Sequence, residues 1–189
     1  MTDVASFTSP LTITTGGTVW FTGLPSAGKS TLSRAVADRL PTGRIELLDG
    51  DEVRQTLSAG LGFSRADREA NIDRIGFVAD LLARNGVLVF AAVISPFRDA
   101  REQVRRRHQA SGTPFVEVHV ATPVEECAER DVKGLYAKQR EGEIKGLTGV
   151  DDVYEPPPTP ELRLDTRDNT VDDSADAVVA LLCEKGMLR

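Results

Sequence analysis

Gly23-Leu24-Pro25-Ser26-Ala27-Gly28-Lys29-Ser30-Thr31 constrains this chain more than any other stretch. It fits G-x-x-x-x-G-K-[ST], the phosphate-binding P-loop pattern. The β-type run Thr18-Val19-Trp20-Phe21-Thr22 precedes it, and Leu32, Val36 and Leu40 follow at helical spacing. Strand, glycine-rich turn and helix in that order give the motif its structural context. Gly23 and Gly28 allow backbone angles and a close approach that a side chain would obstruct. Successive N–H groups, running through Ser26, Ala27 and Thr31, then point at phosphate oxygens with the positive end of a helix behind them. Lys29 reaches the β- and γ-phosphates, and the Ser30 hydroxyl joins the coordination of Mg²⁺. The loop identifies a nucleotide and leaves the second substrate open.

A chain of 189 residues suits one domain with a substantial core. We expect residues 1–17, Thr-rich and ending in Gly16-Gly17, to form a short lead-in with at most a strand at Leu11 to Thr14. Residues 18–189 then make the domain. The 23 basic and 29 acidic residues leave a net charge of −6, which argues against a general nucleic-acid or membrane-surface role. Cys127 and Cys183 are far apart, without a C-x-x-C, as in a reduced cytoplasmic protein. No run reaches membrane-spanning length, no secretory leader is legible at the start, and His108 and His119 lie outside any zinc-ligand cluster.

Beyond the loop, Pro41-Thr42-Gly43 breaks the first helix. Arg44 to Leu48 reads as a strand that delivers Asp49-Gly50-Asp51 to the carboxyl end of a sheet, where α/β folds bind ligands. Alone, Asp-Gly-Asp is an ordinary polar turn. Beside a P-loop, its carboxylates suit Mg²⁺ or an accepting hydroxyl. Asp51 is expected to cap a short helix. Ser64, with Asp67 three residues on, caps a longer helix that stops at Asn85-Gly86. Phe63 stands just before it, either as a hydrophobic staple or as an aromatic surface for a base.

Val87 to Ile94 is continuously apolar, as a central parallel strand should be, and ends in Ser95-Pro96-Phe97. Arg98, Arg101, Arg105, Arg106 and Arg107 mark the next helix, read as a solvated basic face rather than a nucleic-acid contact. Phe115 to Ala121 is a further strand, after which Thr122 caps a helix with Pro123 at its first position. Between Glu129 and Val150, glycines alternate with Arg130, Lys133, Lys138, Arg140 and Lys145. That pattern suits either a lid over phosphates or an exposed loop. Proline-rich 154–160 is a connector, Leu162 to Thr166 a last strand, and Val171 to Leu182 a closing helix. No guanine-reading Asn-Lys-x-Asp segment is present.

Five separated blocks, in order, resemble the adenylyl-sulfate kinase family of P-loop kinases. They are Asp49-Gly50-Asp51-Glu52-Val53-Arg54; Leu61-Gly62-Phe63-Ser64 with Asp67, Arg68 and Asn71; Ile94-Ser95-Pro96-Phe97; Arg130-Asp131-Val132-Lys133-Gly134-Leu135-Tyr136; and Gly142-Glu143-Ile144-Lys145-Gly146. The resemblance implies a three-layer α/β fold with a mostly parallel five-stranded sheet and a mobile lid at about 130–150. It implies transfer of the ATP γ-phosphoryl, directly and in line, to the 3′-hydroxyl of adenosine 5′-phosphosulfate, giving 3′-phosphoadenylyl sulfate with Mg²⁺. Arg54, Arg68 and Asn71 would hold the phosphosulfate and ribose, and Phe63 would stack on the adenine. Ile94, Ser95, Lys133, Gly146 and Leu147 would complete that pocket. Arg130 would flank the ATP base with Thr166 nearby, Asp51 would receive or orient the hydroxyl proton, and Asp49 would support Mg²⁺. Ser95 matches a proposed phosphoserine site; direct transfer makes it a pocket hydroxyl. A homodimer and a functional link to an ATP sulfurylase also follow from the resemblance.

Three departures from the family pattern stand out. Leu-Pro-Ser-Ala replaces Leu-Ser-Gly-Ala in the loop, Glu52 replaces an asparagine, and Leu147 replaces a phenylalanine. The last change gives up an aromatic pairing worth about 0.5–1.5 kcal/mol.

Overall fold

The computed structural model describes residues 11–40, 43–167 and 169–189. Five strands, β1 (Gly17–Thr22), β2 (Ile45–Asp49), β3 (Leu88–Ala92), β4 (Phe115–Val120) and β5 (Leu162–Leu164), form one sheet in the order β2-β3-β1-β4-β5. Every pairing among them is parallel. The connections carry α1 (Lys29–Ala37), α2 (Gly50–Gln55), α3 (Arg65–Arg84), α4 (Arg98–Ser111), α5 (Val124–Arg130) and α6 (Leu135–Arg140), and α7 (Val171–Glu184) closes the chain. This is the three-layer arrangement expected from the sequence, with the sheet wholly parallel.

Alternation along the strands builds two cores. Val19 and Phe21 of β1, Leu88 and Phe90 of β3, and Val116, Val118 and Val120 of β4 face α1 and α7. Trp20, Ala91 and Val93 face the other way, toward Ile72 and Ile75 of α3 and Val104 of α4. Strand side chains alternate sides with period two, so one parallel strand feeds both layers. Each large side chain buried here stabilises by roughly 1.5–3 kcal/mol relative to exposure.

On β4 the residues facing α4 are Glu117 and His119, both buried. A buried carboxylate needs counterions, and α4 supplies them. Arg101 Nε donates to Glu117 at 2.8 Å, and Arg105 bridges Glu117 and Glu161. The basic helix is therefore not simply a solvated face: Arg101 is only 3% exposed.

Other local expectations also shift. Ile13 makes a single antiparallel bridge to Leu188, and Thr12 and Thr14 bond the backbone of Arg189 and Met187, so 11–14 is a pinned tail rather than a strand. Asp49, not Asp51, caps α2 by accepting from the Asp51 N–H. Pro123 is the N-cap of α5, while the Thr122 hydroxyl is used elsewhere. The expected break at Pro41-Thr42-Gly43 lies in part outside the described residues. Ser64 does cap α3, and Cys127 and Cys183 are free. No described helix is long and apolar enough to cross a membrane.

Candidate active site

The phosphate loop joins β1 to α1 over the carboxyl edge of the sheet. Gly23 has φ 153°, and a Cβ there would lie 2.4 Å from the Val120 carbonyl oxygen. Only glycine lets the loop sit that close to β4. Gly28 at φ 100° precedes α1, whose first turn has neither a side-chain cap nor an acidic residue. Among the described residues its leading N–H groups thus have no capping side chain, whereas α2, α3 and α7 begin under Asp49, Ser64 and Thr170. Lys29 Nζ donates to Gly23 O at 2.9 Å and Leu24 O at 2.7 Å. Burial pushes its pKa down to about 8.

A hydrogen-bond chain braces this loop from behind. Thr122 Oγ1 donates to Ala27 O at 2.9 Å and so accepts from Thr166 Oγ1 at 2.7 Å. Thr166 in turn accepts from Arg130 Nη1 at 2.8 Å, and its carbonyl accepts from Nη2. Tyr136 of α6 donates to Pro25 O at 3.0 Å. Gly23, Ser26, Ala27, Gly28, Lys29, Ser30, Thr31, Arg130 and Thr166 thus surround one loop. From sequence Thr122 reads only as a helix cap and Tyr136 carries no assigned role; a threonine closing the strand beside the loop strand is the signal that could have marked the first.

The second cluster lies beyond β2 and β3. Arg54 donates to Gly62 O at 3.0 Å and stands 4.5 Å above the Phe63 ring; Arg68 lies 5.7 Å from it. Phe63 itself is 66% exposed, too open for a staple. Burial, then the neighbouring Arg68 charge, lowers the Arg54 pKa. Asn71 is buried and its Oδ1 has no hydrogen-bond partner. Lys133 pairs with Asp51 across the gap between the 130–150 segment and α2.

Arg68 is buried and heavily engaged. It donates to Phe63 O, Thr148 Oγ1 and Gly146 O and pairs with Asp152 at 3.1 Å. Asp151 accepts from the Gly146 and Leu147 N–H groups. Leu147 is buried in the α1-side core rather than standing open beside Phe63. Ser95, φ 43° and 1% exposed, accepts from the Trp20 indole at 3.1 Å, and Ile94 lies next to it. The roles of Thr148, Asp151 and Asp152 were not legible, although an acid pair just past a glycine-and-cation segment was a usable hint.

Ser30 in the first turn of α1 and Asp49 at the end of β2 offer a hydroxyl and a carboxylate, the oxygen donors a hard divalent cation takes. Asp49 is also 3.5 Å from Arg34. Among the described residues no three His, Cys, Asp or Glu side chains gather into a protein-only cage. That donor set fits Mg²⁺ carried largely by triphosphate oxygens. A separate 280 Å³ cleft lined by Glu69, Asp73, Asp99, Ala100 and Gln103 opens between α3 and α4 and takes no part in this arrangement.

Comparison with known proteins now bears on the site. The sequence pattern of the adenylylsulphate kinase family matches residues 15–165. The chain is 53% identical over 175 residues to an adenylyl-sulfate kinase of Picosynechococcus sp., covering 92% of this chain and 97% of that protein. Among solved structures it resembles Mycobacterium tuberculosis APS kinase in complex with AMPPNP and APS, with TM-score 0.86, 44% identity, and coverage of 92% and 99%. A hexameric APS kinase from Thiobacillus denitrificans matches with TM-score 0.71 and 40% identity over 93% of this chain and 30% of that one.

Proposed function

The chain belongs to the adenylyl-sulfate kinase family, and from that premise we propose that it phosphorylates the 3′-hydroxyl of adenosine 5′-phosphosulfate from ATP, releasing ADP and 3′-phosphoadenylyl sulfate. The observation that carries the acceptor is the exposed Phe63 ring with two guanidinium groups beside it. A purine can stack on that ring while its anionic tail meets Arg54 and Arg68.

Catalysis in this reading is alignment and charge neutralisation. The loop N–H groups and Lys29 hold the β- and γ-phosphates, Lys29 exchanging Gly23 O and Leu24 O for phosphate oxygens. Arg130 and Thr166 flank the ATP base. Asn71 offers its unpartnered Oδ1 to a ribose hydroxyl, and Ile94, Ser95 and Gly146 close the acceptor pocket. Lys133 leaves Asp51 for the substrate, freeing that carboxylate to take or orient the hydroxyl proton. Mg²⁺, held by Ser30 and supported through Asp49, supplies charge neutralisation when bound. Transfer is direct and in line, with Ser95 a wall hydroxyl.

The 130–150 segment serves as the lid of the 18–189 domain, a homodimer is the working state, and the setting is cytoplasmic beside an ATP sulfurylase. The test is an ADP-release assay with Mg²⁺-ATP and a panel of acceptors: adenylyl sulfate, AMP, other nucleotides and sugar hydroxyls. Turnover should depend on adenylyl sulfate. Faster turnover on another acceptor, or none at all, would reject the assignment.

A further inference from the structure

Past the 130–150 segment the chain crosses back over the sheet as an extended strap, and Tyr154 is its anchor. Thr22 Oγ1, at the root of the phosphate loop, donates its single hydrogen to Ile94 O at 2.7 Å. The 3.0 Å contact between Thr22 Oγ1 and Tyr154 Oη must then have tyrosine as donor. Burial pushes the Tyr154 pKa up to about 12, so that proton stays in place. The ring stacks on His119 at 5.8 Å, and Arg101 lies over it at 5.8 Å.

The next residue ties the same strap to the turn after β3. Glu155 N–H donates to Pro96 O, and its carboxylate accepts from the Arg98 N–H. Arg101 donates to both Glu155 O and Ser95 O at 2.6 Å. Ser95 is held at φ 43°, a conformation that costs a non-glycine residue and persists only when its surroundings fix it.

We propose that Tyr154 is a positioning residue for phosphoryl transfer: through Thr22 its hydroxyl locks the Ile94–Ser95 wall of the acceptor pocket to the root of the phosphate loop. Its hydroxyl bonds Thr22 rather than any group assigned to either substrate. The inference rests on the acceptor assignment made above and adds to it a residue on a different segment.

The experiment varies each substrate against wild type, Tyr154→Phe, Thr22→Val and the double variant. Tyr154→Phe keeps the ring on His119 and Arg101 and removes one hydrogen bond. It should raise KM for adenylyl sulfate about fivefold, the factor a neutral hydrogen bond carries into an equilibrium, with KM for ATP, kcat and Tm nearly unchanged. Thr22→Val should act alike, and the double variant should be no worse than the single ones, because all break one chain. An unchanged acceptor KM, additive losses, or equal rises in both KM values in step with a falling Tm would overturn it. Should Tyr154→Phe not fold, Thr22→Val carries the same expectation and the same refutation. Wild type without adenylyl-sulfate turnover defeats the functional reading and this inference together; an active wild type with a silent Tyr154→Phe defeats only the latter.

Discussion

Lys29 is asked to be a cation in a place that disfavours cations. Its Nζ rests on two loop carbonyls, and burial lowers its pKa to about 8 from 10.5. Phosphate binding demands the charged form, which prevails below about 8 and is lost above it. Nucleotide affinity should therefore be level near neutrality and fall as pH rises past about 8, approaching tenfold per pH unit. Binding at about pH 8.5 should take up a proton, seen by calorimetry in buffers of different ionisation enthalpy. Flat affinity to about pH 9.5 would contradict this. Asp51 is exposed and, among the described residues, its carboxylate pairs with Lys133 alone, so Asp51→Asn should keep the fold and nucleotide binding while lowering kcat by at least about 100-fold, the usual scale for a lost general base. Near-normal turnover would remove it from that role. Phe63, already open to solvent, contributes little packing. Phe63→Ala should leave Tm within about 2 °C, yet weaken adenylyl sulfate by about 1–3 kcal/mol of lost base stacking. An intact acceptor KM would return Phe63 to the bland role of a surface aromatic.

At the scale of elements, the 130–150 segment lies against the phosphate loop through small contacts. Gly149 sits at φ 89°, and a Cβ there would meet Leu24 Cδ2 at 2.4 Å. Gly149→Ala should cost about 1–2 kcal/mol in backbone strain and lift the segment off Leu24. The expected result is a folded enzyme with raised KM for both substrates and faster proteolysis within 140–150; unchanged proteolysis and kinetics would show that this contact does not hold the segment down. The same region marks how far sequence reading reaches. The loop, β1, the continuously apolar β3 and the Ser64 cap were legible because each signal is local: spacing, periodicity and a cap three residues from its partner. The inward arginines of α4 were not, since Glu117, their reason for turning in, lies 16 residues from Arg101 and its facing is decided by β4 pairing with β1. Thr122 reads as a helix cap until the loop carbonyl of Ala27, 95 residues away, takes its hydroxyl. Leu147 reads as a pocket wall until it is found packed into the α1-side core. The Arg68 bonds to Gly146 and Thr148 span about the same gulf and leave no local trace.

For the molecule as a whole, the two histidines set the acid side of stability. His119, facing the Arg101 and Tyr154 layer, has its pKa lowered to about 4, first by burial and then by the Arg163 and Arg101 charges. His108 is fully buried between Thr18 Oγ1 and the Val104 carbonyl, and burial lowers its pKa too, opposed first by the bond to Val104 and then by the Asp80 charge. Both stay neutral in the fold, whereas an unfolded chain protonates them near 6.5. The unfolded state thus binds more protons between about 6.5 and 4, so stability must fall as pH descends through that window. His119 should account for about 1–3 kcal/mol of the loss, or about 2–4 °C in Tm for each kcal/mol. Below it, carboxylates whose pKa values the fold lowers, among them Asp165 beside Arg167 and Glu161 beside Arg105, lose their contribution as they protonate. Calorimetry across about pH 7 to 4 should show Tm already sliding before any carboxylate titrates. His119→Gln, which cannot charge, should start from a lower Tm because its stack on Tyr154 is gone, yet show a shallower slope. An equal slope in that variant would move the acid sensitivity to His108 and the carboxylates. A flat Tm down to about 5 would mean that neither imidazole stays neutral, and that β4 tolerates a cation facing α4 beside Arg101.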